Sequence, residues 1–501
     1  MHTFTLAGPP IGGALTLTLT DKTDGSVTAR IAVDGSQQTP DTYSQTHAGT
    51  SDAKHQITSL AIGLADATSR HVPFWTFDFD IEAAFINGNK LDRTSTGGRQ
   101  IIVKLPKELD SPYSESIAEV TGAHYGLRQS NHIFEQDLEK NLASINLLPC
   151  PSHTRTYHQQ CPLNPLNSLT LSMTVDDGTG HFTSEHLFNQ LKQKIIDRYG
   201  PTTFHVPARG TCGLTQVINA DNSITVHNGP HIEKMLHKEG MDNVPAALSP
   251  DIKGLFDKSL DPTPLTSTET TTFQRINGEL IFYLPARHDI KKTLTYLLTK
   301  NDKPDVSDKE KQFHLLRYLK GTPNLGPTFS SNPDDYPNGV EITSSCDSST
   351  NAHQDGSSHQ AYLLTIGKPG ANTSPFASYS AKEKGVSLSP TESEYVTLSK
   401  TAKQVIHMRQ FATDLGHPQP HPSIMLEDND SAIKLTSSPV IPAKSSHIAL
   451  KHHHVRWAMK TNQIKPTHQG TQDMIPDSMT KFTGPSRFLY FRSKIFTKPA
   501  Q

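Results

Sequence analysis

The stretch SMTVDDGTGHF, residues 172–182, ends an alternating apolar run in two adjacent carboxylates, Asp176 and Asp177. The run before them, LTLSMTV at 169–175, has the period-two pattern of a half-buried strand. Gly178 and Gly180 read as the turn that follows. Two readings stand open. Asp-Asp-Gly is a soluble hairpin tip, since Asp and Gly favour turns. Alternatively the pair is part of an ordered site, in which case two like charges this close need a cation or strong hydrogen bonds. The choice turns on whether the chain supplies a third acid.

The third acid lies upstream in FWTFDFDIEAAFINGN, residues 74–89. Aromatics and acids alternate through Phe77, Asp78, Phe79 and Asp80, which predicts a strand with Asp80 near its end. Beside a hairpin tipped by Asp176 and Asp177, that strand gathers three carboxylates. Such a cluster suits two Mg²⁺ ions about 4 Å apart, the arrangement that serves phosphoryl transfer. Mg²⁺ takes hard oxygen ligands and keeps waters, so a few carboxylates and a triphosphate suffice. A helix is expected next, with Ser184 as N-cap, a stripe of Leu187, Leu191 and Ile195, and Gly200 as terminator.

With 501 residues the chain has room for several domains. A net charge of −2 does not announce a nucleic-acid binder, so that claim must rest on local charge. The four cysteines, Cys150, Cys161, Cys212 and Cys346, form no zinc-spaced pair and read as reduced thiols inside a cell. No apolar run approaches the length of a membrane span, and the N-terminus makes a poor signal peptide. Proline- and hydroxyl-rich punctuation at 244–272 and 322–340 predicts a linker and a loop flanking a helical stretch. The expected division is 25–245, 246–338 and 339–485, with a basic tail at 486–501.

The last part carries its own acids. EITSSCDSST (341–350) predicts a strand reaching Asp347, and AYLLTIG and FASYSAK predict two more. In SPTESEY (389–395), Ser389 is an N-cap, Pro390 suits the first helical position and Glu392 completes a capping box. Leu398, Ala402, Val405, Ala412 and Leu415 form one face, which Glu394 shares; an acid there is costly unless paired or metal-bound. SIMLEDND (423–430) predicts a strand ending in Asp428, and strand-helix-strand of this kind implies a parallel crossover. MIPDSMTK (474–481) supplies Asp477. The histidine run KHHHVR (451–456) lacks the partners of a zinc site. From 441 onward, ten Lys and Arg face only Asp473 and Asp477, a local excess suited to phosphate contacts or to a merely solvated surface.

These segments resemble copia-type LTR-retrotransposon reverse transcriptase and RNase H. DFDIEAAFINGN resembles the family's Asp…Ala-Phe-Leu-x-Gly motif, HYGLRQSNHIF (124–134) its Tyr-Gly-Leu-Lys-Gln motif, and TVDD its Tyr-Val-Asp-Asp box. ARIAVDGSQQ (29–38), RHDIKKTLTYLL (287–298) and LLRYLKGT (315–322) follow in the family's order. SPTESEY, LEDNDSAIKL, PDSMTK and SHIALKHHHVR (446–456) match its RNase H segments. The resemblance implies an α/β chain: a right-hand polymerase of fingers, palm (α+β) and thumb, followed by an RNase H-like α/β domain with a mixed sheet. It implies that Asp80, Asp176 and Asp177 hold Mg²⁺ (or Mn²⁺) in the palm, and that Asp347, Glu394, Asp428 and Asp477 do so in the RNase H part. Phe85 then matches the ring that blocks a ribose 2′-hydroxyl, or is a core aromatic, or both. Gly126 and Arg128 match the segment approaching template and nucleotide, Arg30 a fingers contact to the triphosphate, and His447 and His453 the family's matching histidines. The implied partners are an RNA template, a DNA primer, an RNA–DNA hybrid and dNTPs, with no membrane, in cytoplasmic virus-like particles or the nucleus.

The chain also departs from the family. Thr174 stands for Tyr before Val-Asp-Asp, Phe134 for Trp, His288 for Pro, and Cys346-Asp347-Ser348-Ser349 for Asp-Ala-Asp-Trp. Set against the family's full polyprotein, the chain reads as starting near the fingers, without the capsid, protease and integrase parts, as expected of a truncated, decaying or co-opted piece. The alternatives are therefore an impaired or co-opted nucleic-acid-binding remnant, and RNase H activity alone.

Overall fold

The computed structural model describes residues 5–6, 15–21, 27–34, 36, 51–82, 84–87, 101–105, 117–210, 212–437 and 449–497. His447 lies outside them; Arg30 is described only as backbone in the Val27–Val33 strand, opposite Thr18.

The chain forms two compact units, one of Met1–Ser51 with Thr76–Pro207 and one of Asp52–Trp75 with Ala208–Gln501. Neither is a continuous segment. The helix Ala53–Ser69, whose residues lie within the expected 25–245 division, belongs to the second unit. It is buried from Gln56 to Ala67, and His55 meets the Phe411 ring edge-on at 5.8 Å while Asp66 pairs with His417 at 3.1 Å. An apolar helix follows whatever surface covers it, and sequence position does not reveal which surface that is.

The first unit is built on a six-stranded sheet. Its order is Thr202–His205, Trp75–Ile81, Asp177–Phe182, Asn164–Thr174, His153–Cys161, Leu148–Cys150. Alternation decides its faces: Phe77, Phe79 and Ile81 are buried on one side, with Asp78 and Asp80 on the other. Leu169, Leu171 and Met173 are fully buried. Phe182 stacks on Phe188 with centroids 4.6 Å apart, and Phe77 lies 5.1 Å from Phe188. The helix Glu185–Tyr199 closes over this layer through Leu187, Leu191 and Ile195, and stops at Gly200 with φ 82°. Ser184 is its N-cap by position but makes no side-chain capping bond.

The turn expected at Gly178–Gly180 lies elsewhere. Thr174 pairs with Asp177, so Val175 and Asp176 form the two-residue hairpin tip, and both glycines sit inside the returning strand. They are there because the neighbouring strand presses aromatic rings against them. A Cβ at Gly178 would collide with the Phe79 ring. One at Gly180 would meet the Thr170 carbonyl oxygen and come within 2.8 Å of Phe77 Cζ. Gly180→Val is accordingly expected to cost at least ~1–3 kcal/mol of stability through overpacking, read as a lower denaturant midpoint for the aromatic layer.

The second unit contains helices Gly229–Lys238, Ser267–Ile281, Lys291–Leu298 and Val306–Lys320, which share one apolar core including Ile232, Phe273, Leu294 and Leu315. The linker expected over 244–272 stops short of that end, because a complete capping box, Thr266 with Glu269, starts the helix at Ser267. Beyond it a five-stranded sheet runs in the order Ala377–Lys382, His359–Ile366, Ile342–Ser349, Ser423–Glu427, Ile464–His468. The first three strands pair antiparallel and the last two join in parallel. The 25-residue helix Pro390–Asp414 makes the parallel crossover and buries Leu398, Ala402, Val405 and Ala412. Ser389 caps it by accepting from the Glu392 N–H at 3.2 Å, but the Glu392 carboxylate accepts from Leu388 N–H, so the expected capping box is not closed. The residues read as a basic tail form the helix Pro485–Ile495 with Phe488, Phe491 and Ile495 buried. Its apolar period, masked in the sequence by basic residues, fixes it in place. No helix among the described residues is long and apolar enough to cross a membrane.

Candidate active sites

In the first unit Asp80 is the exposed penultimate residue of the Trp75–Ile81 strand, and Asp177 opens the neighbouring strand. The Ile81 N–H donates to the Asp176 carbonyl at 3.4 Å, tying the hairpin tip to the strand carrying Asp80. Asp177 is solvent-reachable, yet the protein around it withdraws enough water to raise its pKa to about 6, with Asp176, Asp80 and Asp78 adding repulsion in that order. The acids thus share one rim. Asp78 is buried and pairs with His205 at 2.6 Å.

Two further groups build this rim. Val175 adopts φ 58°, the left-handed region that a β-branched residue rarely enters. A buried arginine, Arg155, donates to the Val175 carbonyl at 2.9 Å and so holds the turn from behind. Sequence reasoning missed Arg155, because nothing in the alternating polar pattern of SHTRTYH (152–158) distinguishes an inward cation from an outward one. Tyr125, from the HYGLRQ segment, reaches Asp176 Oδ2 with its hydroxyl at 3.5 Å. Its ring meets Phe85 edge-on at 4.8 Å, and Phe85 is itself buried against Phe134. Gly126 holds φ 90°, where a Cβ would strike the Val33 carbonyl. Arg128 is exposed. Thr174 donates to the Ser51 carbonyl at 3.1 Å.

A carboxyl whose folded pKa exceeds its unfolded value binds its proton more tightly in the native state. Its contribution to stability therefore falls as pH rises from about 4 to 6 and stays low above that. Asp177→Asn is expected to raise the melting temperature relative to the parent at pH 7.5 and to lose that advantage near pH 4, in metal-free buffer.

The second unit draws its acids tighter. Asp347 comes from the Ile342–Ser349 strand, Glu394 from the first turns of the crossover helix, Asp428 from just past the Ser423–Glu427 strand, and Asp477 from the start of the short helix Asp477–Thr480. Among the described residues, two groups offer one ligand atom each with all atoms inside 4.8 Å: Asp347, Asp428 and Asp477, and Glu394, Glu427 and Asp428. The Asp80, Asp176, Asp177 set is looser than this. Glu427 escaped the sequence reading, although the alternation Ser423, Met425, Glu427 marks it as inward-facing. His453 is exposed on the helix Ala449–Lys460 and belongs to neither group.

The surroundings of the cluster are specific. Thr480 donates its hydroxyl to Asp347, Thr471 donates to Asp428 Oδ2 at 2.9 Å, and Lys481 lies 2.7 Å from Asp477 and 4.0 Å from Asp347. Burial raises Asp347, Glu394 and Glu427 above the ordinary carboxylate range, and the neighbouring acids raise them further. Glu394 Oε2 is buried and has no hydrogen-bond partner. An orphaned carboxylate oxygen on Glu394, with Glu427 and Asp428 grouped beside it, makes a set of oxygens that suits a hard divalent cation, so the residues fit Mg²⁺ or Mn²⁺.

Three curated relatives align with the chain. The Retrovirus-related Pol polyprotein from transposon RE1 of Arabidopsis thaliana is 24% identical over 523 residues, covering 99% of this chain and 32% of the relative. That from transposon RE2 of the same plant is 24% identical, over 99% of this chain and 33% of the relative. That from transposon TNT 1-94 of Nicotiana tabacum is 21% identical, over 82% and 30%. The chain is a distant relative of the copia-type Pol polyproteins. It spans about a third of the length of these Pol relatives. No family model matches it. Among solved structures, a foamy viral protease-reverse transcriptase dRH in complex with ds DNA superposes with a TM-score of 0.51 at 13% identity, over 91% of this chain and 65% of that one. The mixed α/β architecture expected for a Pol relative is therefore present, and the C-terminal sheet with its parallel strands fits an RNase H-like domain.

Proposed function

We propose that the chain is an RNA-directed DNA polymerase with an associated RNase H activity, of the copia type. The observation that carries this reading is the gathering of Asp347, Glu394, Asp428 and Asp477 from four separated segments at one end of the mixed sheet. The hairpin acids beside Asp80 and the distant Pol relationship support the polymerase half. In this reading the fingers and palm occupy 25–245, the thumb and connection 246–338, and the RNase H part 339–485.

In the palm, Asp80, Asp176 and Asp177 would hold Mg²⁺ (or Mn²⁺); in the RNase H part Asp347, Glu394, Asp428 and Asp477 would. When bound, such ions activate an attacking oxygen and stabilise the leaving one. The residues do the positioning. Arg155 fixes the hairpin carbonyl, and Tyr125 orients Asp176. Phe85 backs Tyr125 and would bar a ribose 2′-hydroxyl, with Gly126, Arg128 and Arg30 lining the approach of template and dNTP. The primer 3′-hydroxyl oxygen attacks the α-phosphorus and pyrophosphate leaves. In the second site Thr480 and Lys481 hold Asp347 and Asp477 in place, and Thr471 holds Asp428. There a water oxygen attacks the RNA phosphodiester of a hybrid and the 3′-oxygen leaves. His447 and His453 would contact the hybrid. The protein would work inside the cell, in a cytoplasmic particle or the nucleus.

A second reading, RNase H activity alone, is favoured by one observation: the hairpin acids are less tightly gathered than the C-terminal ones, and Thr174 replaces the aromatic residue beside them. The test runs both reactions on the full chain. Mg²⁺-dependent dNTP incorporation on poly(rA)/oligo(dT), together with cleavage of a labelled RNA–DNA hybrid, supports the main reading. Cleavage without incorporation supports the second. Neither reaction from folded protein identifies a nucleic-acid-binding remnant.

A further inference from the structure

The two acidic groups of the second unit together hold five carboxylates, and the fifth, Glu427, is the most deeply buried of them. Glu427 has no exposed surface. It occupies the last position of the Ser423–Glu427 strand on the face that also buries Ser423 and Met425. Apolar side chains fill such positions in a half-buried sheet, so an acid here requires a partner. Its two hydrogen bonds are weakly polarising: the Asn429 N–H donates to Oε1 at 3.1 Å, and the Cys346 thiol donates to Oε2 at 3.4 Å. Neither Glu427 nor Glu394 makes an ion pair among the described residues, whereas Asp347 and Asp477 share Lys481.

The arrangement is divided. Asp347, Asp428 and Asp477 form a group already balanced in part by the lysine. Glu394, Glu427 and Asp428 form a second group of three, with Asp428 common to both. Inside this second group Glu394 is buried and its Oε2 has no hydrogen-bond partner. A proton on one of these carboxyls would bridge to a neighbouring carboxylate oxygen but leave the remaining charges repelling each other. A divalent cation takes all three oxygens at once and offsets the repulsion among all of them.

We infer that Glu427, with Glu394 and Asp428, forms a divalent-cation pocket adjoining the Asp347–Asp428–Asp477 group, so that the chain holds its second ion with a carboxylate outside the four acids of the proposed RNase H set. The inference rests on the function proposed above and adds Glu427 to its machinery. Asp428, belonging to both groups, fixes the spacing of the two ions. Cys346 and Asn429 act as positioning residues: the thiol donates to Glu427 Oε2 and the Asn429 N–H to Oε1, fixing the carboxylate beside Glu394 and Asp428.

The test is a Mn²⁺ titration of the full chain at pH 7.5, followed by electron paramagnetic resonance of the free ion and by calorimetry, on the parent and on Glu427→Gln. Glutamine matches the carboxyl in shape and keeps an acceptor for Asn429, and circular dichroism verifies folding. The expected result is that Glu427→Gln binds one Mn²⁺ fewer, or binds the weakest ion at least tenfold less tightly. Glu427→Asp keeps the charge but withdraws it by one methylene, and is expected to fall between the two. It carries the test should the glutamine variant not fold. Parent-like stoichiometry and affinity in either folded variant overturns the inference and leaves the proposed function standing. A parent chain that binds no Mn²⁺ overturns both.

Discussion

Asp176→Asn is expected to abolish dNTP incorporation while hybrid cleavage continues, and Glu394→Gln is expected to do the reverse. Each substitution removes one negative oxygen and adds an amide that cannot take a hard cation in its place. The lost charge stabilisation amounts to several kcal/mol in the transition state, a fall of ~10³-fold or more in rate. The separation follows from construction. Asp176 sits at a hairpin tip in the first unit, held by the Tyr125 hydroxyl and by the Ile81 N–H on its carbonyl. Glu394 stands on a crossover helix of the second unit, in contact range of Glu427 and Asp428. The measurement is a primer-extension assay and a hybrid-cleavage assay on the same preparations. Parallel loss of both activities in either variant would refute two independent sites.

Arg287→Met is expected to destabilise the second unit by about 3–5 kcal/mol, the usual cost of stranding one partner of a buried ion pair. Arg287 and Asp289 are both without side-chain exposure. The guanidinium donates to Asp289 Oδ1 at 3.0 Å and Oδ2 at 2.8 Å, and to the Thr322 carbonyl and hydroxyl at 2.8 and 2.9 Å. Tyr318 donates to Asp289 Oδ2 at 2.5 Å. Burial pushes the Asp289 carboxyl up, but the Arg287 charge and these hydrogen bonds prevail and hold it below the ordinary range. A depressed carboxyl contributes stability that is present above its unfolded pKa and lost as pH falls through its folded one. In Arg287→Met that carboxylate is unpaired, so the deficit is expected to be largest near pH 7 and to shrink toward pH 4, where the acid is neutral. Urea unfolding at the two pH values checks the trend. Adding Asp289→Asn to Arg287→Met should recover part of the loss, since it removes the stranded charge.

The sequence made part of this organisation legible. Period-two runs located the strands of Asp80 and Asp347, and the stripe Leu398, Ala402, Val405, Ala412 gave the crossover helix its buried face. Reading Glu394 on that face pointed to the cluster, because an acid on an apolar stripe demands an explanation. Other features were hidden for physical reasons. The glycines after Asp177 read as a turn by local propensity, whereas the aromatic rings of a strand almost a hundred residues earlier dictate their size. Arg155 is inward only because a carbonyl in a strained turn awaits it. Glu427 lay beside Asp428 in a motif that drew attention to the second of two adjacent acids, although strand alternation alone turns the first one inward. The helix Ala53–Ser69 shows no local sign of joining the second unit, since the contacts that claim it come from residues such as Phe411 and His417.

That helix has a practical consequence. Because the backbone leaves the first unit at Ser51 and returns at Thr76, no single proteolytic cut or stop codon yields either unit intact. A fragment starting at Ala208 would lack an apolar segment that belongs to it and would aggregate or recruit a substitute. Supplying residues 52–75 as a separate peptide, or fusing them ahead of Ala208 through a linker, is the minimal design for producing the second unit, with its acidic cluster, by itself.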